Sequence, residues 1–331
     1  MIRVVHFQRR SQNGFSLERL FADIRRKLPP NIDCRLRINK YPSTGFFPRL
    51  IDAISASFNQ GQINHITGDV HYLTMFLRKK RTILTICDCS SLERLKGIRK
   101  AVVFLLWYWL PEKRSSVITV ISDHTKKDLL TYLSCDPQKI EVIYCCVSPI
   151  FKSAPRKFNS EKPTILQVGT GVHKNLIRLA ESLQGIPCHL RIIGRLSYDQ
   201  FEVLNKLGIE YSNAFDLCDE EMVKAYADSD LVAFVSTYEG FGLPIIEANA
   251  VGRPVVTSNI MSMPEVAGDA ACMVNPFDVR SIREGILHVM RDESYRESLV
   301  NKGYANVERF RPELIASQYA QVYEKLRNRS K

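Results

Sequence analysis

The chain has 331 residues, of which 45% are hydrophobic and 24% charged, with 16 Gly and 15 Pro. That length suits about two domains, and that balance excludes a disordered, collagen-like or repetitive protein. Residues 1–150 hold 24 Lys and Arg against 12 Asp and Glu, a net of +12, while the remainder stands at −1. The basic first half is therefore expected to meet a polyanion. No zinc-finger, RNP-type or basic-zipper pattern accompanies the charge, so nucleic acid is not the expected partner. No apolar run approaches the ~20 residues of a spanning helix, and the N-terminus runs straight into Ile2-Arg3-Val4-Val5 without a signal pattern. The expectation is a cytoplasmic protein that is not integral to a membrane. Nine cysteines without a Cys-x-x-Cys, including the adjacent Cys145 and Cys146, suggest neither a disulfide framework nor a zinc site.

In chain order, short apolar runs alternate with amphipathic stretches. Strand-like runs at 2–7, 32–38, 63–66, 82–87, 117–121 and 140–144 are separated by helical patterns at 16–28, 48–58, 97–109 and 123–133. Such alternation predicts a parallel sheet covered on both faces by helices. Residues 148–163, SPIFKSAPRKFNSEKP, have three prolines and little apolar periodicity and read as a linker. The pattern then restarts, with strands at 164–169, 188–194, 231–236 and 254–259. Helices are expected at 175–183, 198–207, 219–229, 244–251, 279–291, 293–309 and 312–327. Two doubly wound lobes leave a cleft, and ligands of open α/β sheets sit at the carboxyl ends of the strands.

The most informative stretch runs from Ser236 to Glu247, leaving a buried strand, turning through glycines and entering a helix at Pro244. Pro suits a first helical turn, and the amides of Phe241, Gly242 and Leu243 would meet an anion at the positive end of the helix dipole. Glu239 precedes the turn, and Glu247 is expected in the first turn of the helix, where both can accept hydrogen bonds from a hydroxyl-rich ligand. Either carboxylate alone reads equally as a helix cap or a solvated Glu.

Here the sequence resembles the retaining glycosyltransferases of family four, glycosyltransferase group 1, which have the GT-B fold. The signature is two glutamates separated by seven residues around Gly-Phe-Gly-Leu-Pro, matched by Glu239 and Glu247. The resemblance continues through 250–256 and 263–271 and covers nearly the whole chain. It implies two Rossmann-like doubly wound parallel-sheet domains with an interdomain cleft. These would be an acceptor-side domain at 1–150, a nucleotide-sugar domain at 151–311, and a helix at 312–331 returning toward the first. It also implies that Glu239 meets donor-sugar hydroxyls, Glu247 meets the donor ribose, and the amides of Gly240, Phe241, Gly242 and Leu243 meet phosphate and sugar.

A second piece, Val168 to Leu176, looks like the diphosphate loop of that family, with Gly169, Thr170 and Gly171 ahead of Lys174. Lys174 matches the lysine that neutralises the departing diphosphate, a cation at the leaving oxygen in a site where no metal or other cofactor is expected. Thr170 stands where the family often has arginine, and Arg195 is either the missing positive charge or a solvated arginine. In the first lobe, Cys87-Asp88 stands where family members commonly read His-Asp, so Asp88 is retained as a catalytic candidate and the histidine is not. Weaker acceptor-side candidates are Gly14, Ser16, His65 and His71, each histidine reading equally as packed or solvated. Arg9 and Arg10 would meet an acceptor phosphate or form a solvated basic loop. Residues 95–114 wrap Trp107, Tyr108 and Trp109 between basic flanks, as either a membrane-surface segment or a buried Rossmann helix.

The resulting expectation is a retaining hexosyltransferase that moves a sugar from a UDP- or GDP-sugar to a hydroxyl of a glycan or lipid-linked acceptor in surface polysaccharide synthesis. It would be peripheral at the anionic inner membrane face. A sugar-nucleotide epimerase of the same fold and a catalytically silent nucleotide-sugar-binding subunit are the alternatives.

Overall fold

Short runs of Ile, Val and Leu cannot bury both of their faces alone, and here they pair in parallel and are sealed by the helices that connect them. In the computed structural model, which describes residues 1–10 and 16–329, they form two six-stranded parallel sheets. The chain divides into two units, Met1–Cys146 with Arg311–Lys331, and Val147–Phe310.

The first unit holds β1 (Ile2–Gln8), β2 (Ile32–Ile38), β3 (Ile63–Ile66), β4 (Thr82–Ile86), β5 (Val117–Val120) and β6 (Ile140–Val142), in the order β2-β1-β3-β4-β5-β6. Strands β3, β4 and β5 are buried along their whole length, whereas the edge strand β2 exposes Arg35 and Arg37, charges that discourage further pairing. Its helices are α1 (Ser16–Lys27), α2 (Phe46–Phe58), α3 (Ser90–Arg94), α4 (Gly97–Val103), α5 (Leu110–Arg114) and α6 (Asp123–Tyr132). The step from β1 to β2 runs one way across the sheet and every later step runs the other way. Right-handed crossovers therefore put α1 on one face and α2 to α6 on the opposite face. The last helix, Pro312–Arg329, packs against α1, β1 and β3 on the α1 face.

A directed chain of hydrogen bonds ties that last helix to the sheet. Arg25 Nη1 can only donate, so His6 Nδ1, 3.4 Å away, accepts. The other nitrogen of His6 then donates to Tyr323 Oη at 2.8 Å, and the tyrosine hydroxyl donates to His65 Nδ1 at 2.8 Å. His65 Nε2 donates to Thr85 Oγ1 at 2.7 Å, which in turn meets Thr119 Oγ1 at 2.7 Å. Every link requires a neutral imidazole. Burial accordingly drives His6 well below its ordinary pKa and His65 down to about 3.

The helix expected over 97–109 is broken into α4, a π-helical stretch Phe104–Trp109, and α5. Pro111 explains the break. It has no N–H to offer the carbonyl of Trp107 four residues earlier, and its ring crowds that carbonyl. His71 Nδ1 lies 2.6 Å from the Trp107 oxygen and fills the vacancy from a 3-10 turn, His71–Met75.

The second unit holds β7 (Thr164–Val168), β8 (His189–Ile193), β9 (Tyr211–Ala214), β10 (Leu231–Phe234), β11 (Val255–Ser258) and β12 (Cys272–Val274), in the order β12-β11-β10-β7-β8-β9. Its helices are α7 (Leu176–Leu183), α8 (Tyr198–Lys206), α9 (Asp219–Ala227), α10 (Leu243–Val251), α11 (Met263–Ala267), α12 (Val279–Arg291) and α13 (Glu293–Val307). The peripheral elements β9, β12 and α11 have no counterpart in the sequence reading, because each is short and β9 is a polar strand at the sheet edge. The strand order reverses between β7 and β10, the topological switch point at which ligands of such sheets bind.

Candidate functional site

Both informative motifs emerge at the carboxyl ends of β7 and β10, the two adjacent strands of the switch point. After β7 the backbone turns at Gly169, with φ of +91°, where an added Cβ would lie 2.9 Å from Lys174 Cε. Only glycine lets the lysine stem lie across the turn. A 3-10 turn, Val172–Lys174, then leads through Asn175, with φ of +61°, into α7. The buried Asn175 donates from Nδ2 to the carbonyls of Val235 at 3.0 Å and Pro276 at 2.7 Å, joining this loop to the end of β10. Two further links close the joint: Thr237 N donates to His173 O at 2.7 Å, and Gln167 Nε2 donates to Lys174 O at 3.0 Å.

The result is a salt bridge between the two motifs. Lys174 Nζ lies 2.6 Å from Glu239 Oε1, with the side chains 19% and 14% exposed. The ammonium also lies 4.9 Å from the ring centroid of Phe234. Ser262 Oγ, fully buried, sits 2.9 Å from the carbonyl of Glu239 and 2.7 Å from that of Phe241, and its shared hydroxyl holds the glycine turn in shape. Gly242, with φ of +113°, then opens α10, whose second residue is Pro244. The helix starts at Leu243, so Glu247 lies beyond its first turn and not within it. Tyr226 of α9 donates to Glu247 Oε2 at 2.6 Å. Burial and the neighbouring carboxylate push the Tyr226 hydroxyl well above its ordinary pKa, so it remains a donor.

Other expected residues have clear local partners. Thr170 Oγ1 donates to the carbonyl of Arg195 at 2.6 Å, so threonine here ties the loops after β7 and β8 together. The Arg195 guanidinium is exposed, paired with Asp216 and stacked 4.4 Å over the Phe215 ring. Gly171 precedes the 3-10 turn, where an added Cβ would lie 2.8 Å from the His173 ring.

In the first unit, Asp88 Oδ1 accepts the Ser90 amide at 2.8 Å at the start of α3. Burial and the carboxylates of Asp88 and Asp69 push the Cys87 thiol up to about 12, so it stays protonated. His65 is fully buried with both ring nitrogens engaged, and His71 is buried and holds the π-helical carbonyl. Of the two readings open for each histidine, the packed one describes both. Gly14 lies outside the described residues, and Ser16 opens α1. Arg9 pairs with Glu18 at 2.8 Å, and Arg10 donates to the carbonyl of Lys40 at 3.1 Å.

Sequence reasoning missed Asn175, Ser262 and Tyr226. Asn175 stood inside the quoted loop, and a short polar residue ahead of a helix is a usable signal for a left-handed turn. Ser262 lies one residue before a matched segment. Tyr226 gives no local signal, because its partner is 21 residues away on another helix.

A cation, a carboxylate and a helix start thus gather at the switch point of a parallel sheet, and residues 150–306 match the family described as glycosyl transferases group 1. The second unit is a group 1 glycosyltransferase domain. Over 108 residues the chain is 42% identical to the O-antigen chain mannosyltransferase B of Escherichia coli, covering 33% of this chain and 28% of that protein. It is 26% identical over 237 residues to the MMP alpha-(1->4)-mannosyltransferase of Mycolicibacterium hassiacum, covering 66% and 58% of the two chains. These matches span less than two thirds of either relative.

The solved structure of Anabaena Alr3699/HepE in complex with UDP and glucose superposes over 98% of this chain and 100% of that one, with a TM-score of 0.78 at 15% identity. WaaG, a glycosyltransferase involved in lipopolysaccharide biosynthesis, superposes over 97% and 99% with a TM-score of 0.73 at 15% identity. The group 1 glycosyltransferase domain and its partner unit together have the GT-B fold.

Proposed function

We propose that the protein is a retaining glycosyltransferase that moves a hexose from a nucleoside-diphosphate sugar to a hydroxyl of a glycan or lipid-linked acceptor during surface polysaccharide synthesis. The observation that carries this reading is the pairing of Lys174 with Glu239 at the switch point of a group 1 domain. Without donor the two charges neutralise each other. With donor bound, sugar hydroxyls donate to Glu239 and the diphosphate takes the Lys174 ammonium. As the anomeric C–O bond breaks, negative charge grows on the departing diphosphate, toward Lys174 and the start of α10. The acceptor oxygen bonds to the anomeric carbon and gives its proton to the departing diphosphate, which leaves as the nucleoside diphosphate. Glu247, held by Tyr226, accepts from the donor ribose, and no metal is required to neutralise the diphosphate. The basic first unit attracts the acceptor side to an anionic inner membrane face.

Both relatives described above are named mannosyltransferases, which makes GDP-mannose the first donor to try, followed by UDP-glucose and other UDP- and GDP-hexoses. The test is release of nucleoside diphosphate in the presence of lipid-linked oligosaccharide, with the anomeric configuration of the product read by NMR. Transfer with retention that persists in EDTA supports the reading. Inversion, or loss in EDTA restored by magnesium or manganese, would overturn the corresponding part. Binding of every donor without turnover of any would leave the protein a nucleotide-sugar-binding subunit.

A further inference from the structure

The first unit carries an apolar surface that its own core does not use. On α2, Phe47, Ile51, Ile54 and Phe58 recur at the spacing of one helical face, yet all are exposed, Phe47 at 73% and Phe58 at 84%. The inward face of α2 carries instead the buried Asp52, Ala53 and Ala56, together with Arg49, whose guanidinium lies 4.5 Å from the ring centroid of Trp107. The segment from α4 to Trp109 repeats the arrangement. Ile98, Val102, Leu105 and Trp109 have the same spacing and are exposed, while Val103, Phe104 and Trp107 pack on the core.

The β2-to-β3 and β4-to-β5 connections step the same way across the sheet, so both helical segments cover one face, and the Arg49–Trp107 contact joins them. Their outward stripes point away from the sheet on that side. Single exposed hydrophobics are ordinary, whereas two such stripes on one face of the sheet mark an interaction surface. Exposed cations stand along it, Lys96 and Arg99 beside Ile98 and Lys113 beyond Trp109. Between residues 46 and 114 the exposed acidic residues are Asp69 and Glu93.

We propose that this face of the first unit docks on an anionic lipid bilayer, with the α2 and α4–Trp109 stripes inserted at the boundary between headgroups and acyl chains and the flanking lysines and arginines on lipid phosphates. A bilayer accepts both features at once: a flat apolar layer for the stripes and a plane of negative charge for their flanks. A second copy docked face to face would press the same cations together. The inference rests on the membrane part of the proposed function and deepens it, since charge attraction alone does not use the apolar stripes.

The test is cosedimentation of the intact protein with phosphatidylcholine vesicles and with equimolar phosphatidylcholine–phosphatidylglycerol vesicles, at low and high salt. Two variants accompany the parent, Phe47→Ser with Ile51→Ser and Phe58→Ser, and Lys96→Ser with Arg99→Ser and Lys113→Ser. All six positions are exposed, and Glu112, which Lys113 meets at 3.1 Å, keeps Lys139 at 2.7 Å, so both variants should fold, which circular dichroism checks. Arg114 is left intact because its guanidinium donates to the carbonyls of Met75 and Leu77.

The parent should bind the mixed vesicles and keep a measurable part of that binding at high salt, because insertion is not screened. The apolar variant should partition at least tenfold less at both salt levels, since tenfold corresponds to about 1.4 kcal/mol, less than the loss of two inserted CH₂ groups. The basic variant should fall at low salt toward the level that the parent keeps at high salt, and match the parent at high salt. An apolar variant that binds as the parent does overturns insertion and leaves electrostatic attachment standing. Absence of parent binding to either vesicle overturns both. A dimer in sedimentation velocity that the apolar variant abolishes, without vesicle binding, assigns the face to a second copy and overturns the lipid assignment. Donor turnover with a soluble acceptor, measured alongside, reads the transferase assignment separately.

Discussion

Lys174 Nζ and Glu239 Oε1, 65 residues apart in sequence, meet at 2.6 Å where β7 and β10 end side by side. Each holds the other in place, and each is assigned a different part of the same donor. The pair therefore separates positioning from affinity. Glu239→Gln keeps a carbonyl oxygen for Lys174 but loses the charge-assisted grip on sugar hydroxyls, which matters most as the glycosidic bond stretches. We expect kcat to fall by about a hundredfold while donor affinity stays within about threefold, an effect of about 2.7 kcal/mol on the transition state. Transfer rate and donor binding by calorimetry check this, and a kcat within about twofold of the parent would remove Glu239 from the mechanism. Lys174→Ala leaves Glu239 mostly buried without its cation and should also lower stability, by about 3 kcal/mol, the low end for breaking a buried pair.

Tyr226→Phe removes the hydroxyl that donates to Glu247 and nothing else from the donor site. Loss of that hydrogen bond should raise the donor KM about fivefold, corresponding to about 1 kcal/mol, with kcat near the parent value. Glu247→Ala should show the same pattern more strongly. A fall in kcat at unchanged KM for Tyr226→Phe would show that Glu247 acts on the reacting atoms and not on binding.

The buried histidines predict acid sensitivity of the first unit. Their folded pKa values lie below the ordinary 6.5, His65 at about 3, so the unfolded chain takes up protons that the folded chain refuses. Stability is complete above about pH 6.5 and is lost as pH falls below it, at about 1.4 kcal/mol per pH unit for each histidine, until the folded pKa is reached. Denaturant midpoints at about pH 7 and about pH 5.5 should differ less in His65→Gln than in the parent, because one of the two titrations is gone. An unchanged difference would mean that His65 is not held neutral by Tyr323 and Thr85.

The π-helical stretch gives a paired test. His71→Ala strands the Trp107 carbonyl and should cost about 1–3 kcal/mol, the penalty for a buried acceptor without a donor. Pro111→Ala in the same chain restores an N–H four residues beyond Trp107. The double variant should be more stable than the sum of the single effects predicts, by about 1 kcal/mol. Strict additivity in unfolding experiments would mean that Pro111 does not cause the break.

Alternation of apolar runs with amphipathic stretches was enough to determine two doubly wound parallel sheets, because parallel pairing demands a covering connection between successive strands. The glycine turns at 169 and 242 and the proline at the start of α10 were legible too, since each answers a local backbone requirement, whereas Lys174, Glu239 and Glu247 stood out only through the family resemblance. What the linear pattern did not contain was partnership. His65 and His71 read as acceptor-side candidates, yet His65 is consumed by Tyr323 and Thr85, and His71 is taken by the carbonyl of Trp107.

The segment 95–114 was read as either surface or core, and the structure makes it both, one face packed and the other exposed, with a π-helical step that only the meeting of Pro111 and His71 explains. The Lys174–Glu239 bridge, the Tyr226–Glu247 hydrogen bond and the exposed stripe of α2 likewise come from elements far apart in sequence. Periodicity tells which face of a helix is apolar. Whether that face is covered depends on what the sheet topology brings against it, and that is decided by tertiary packing alone.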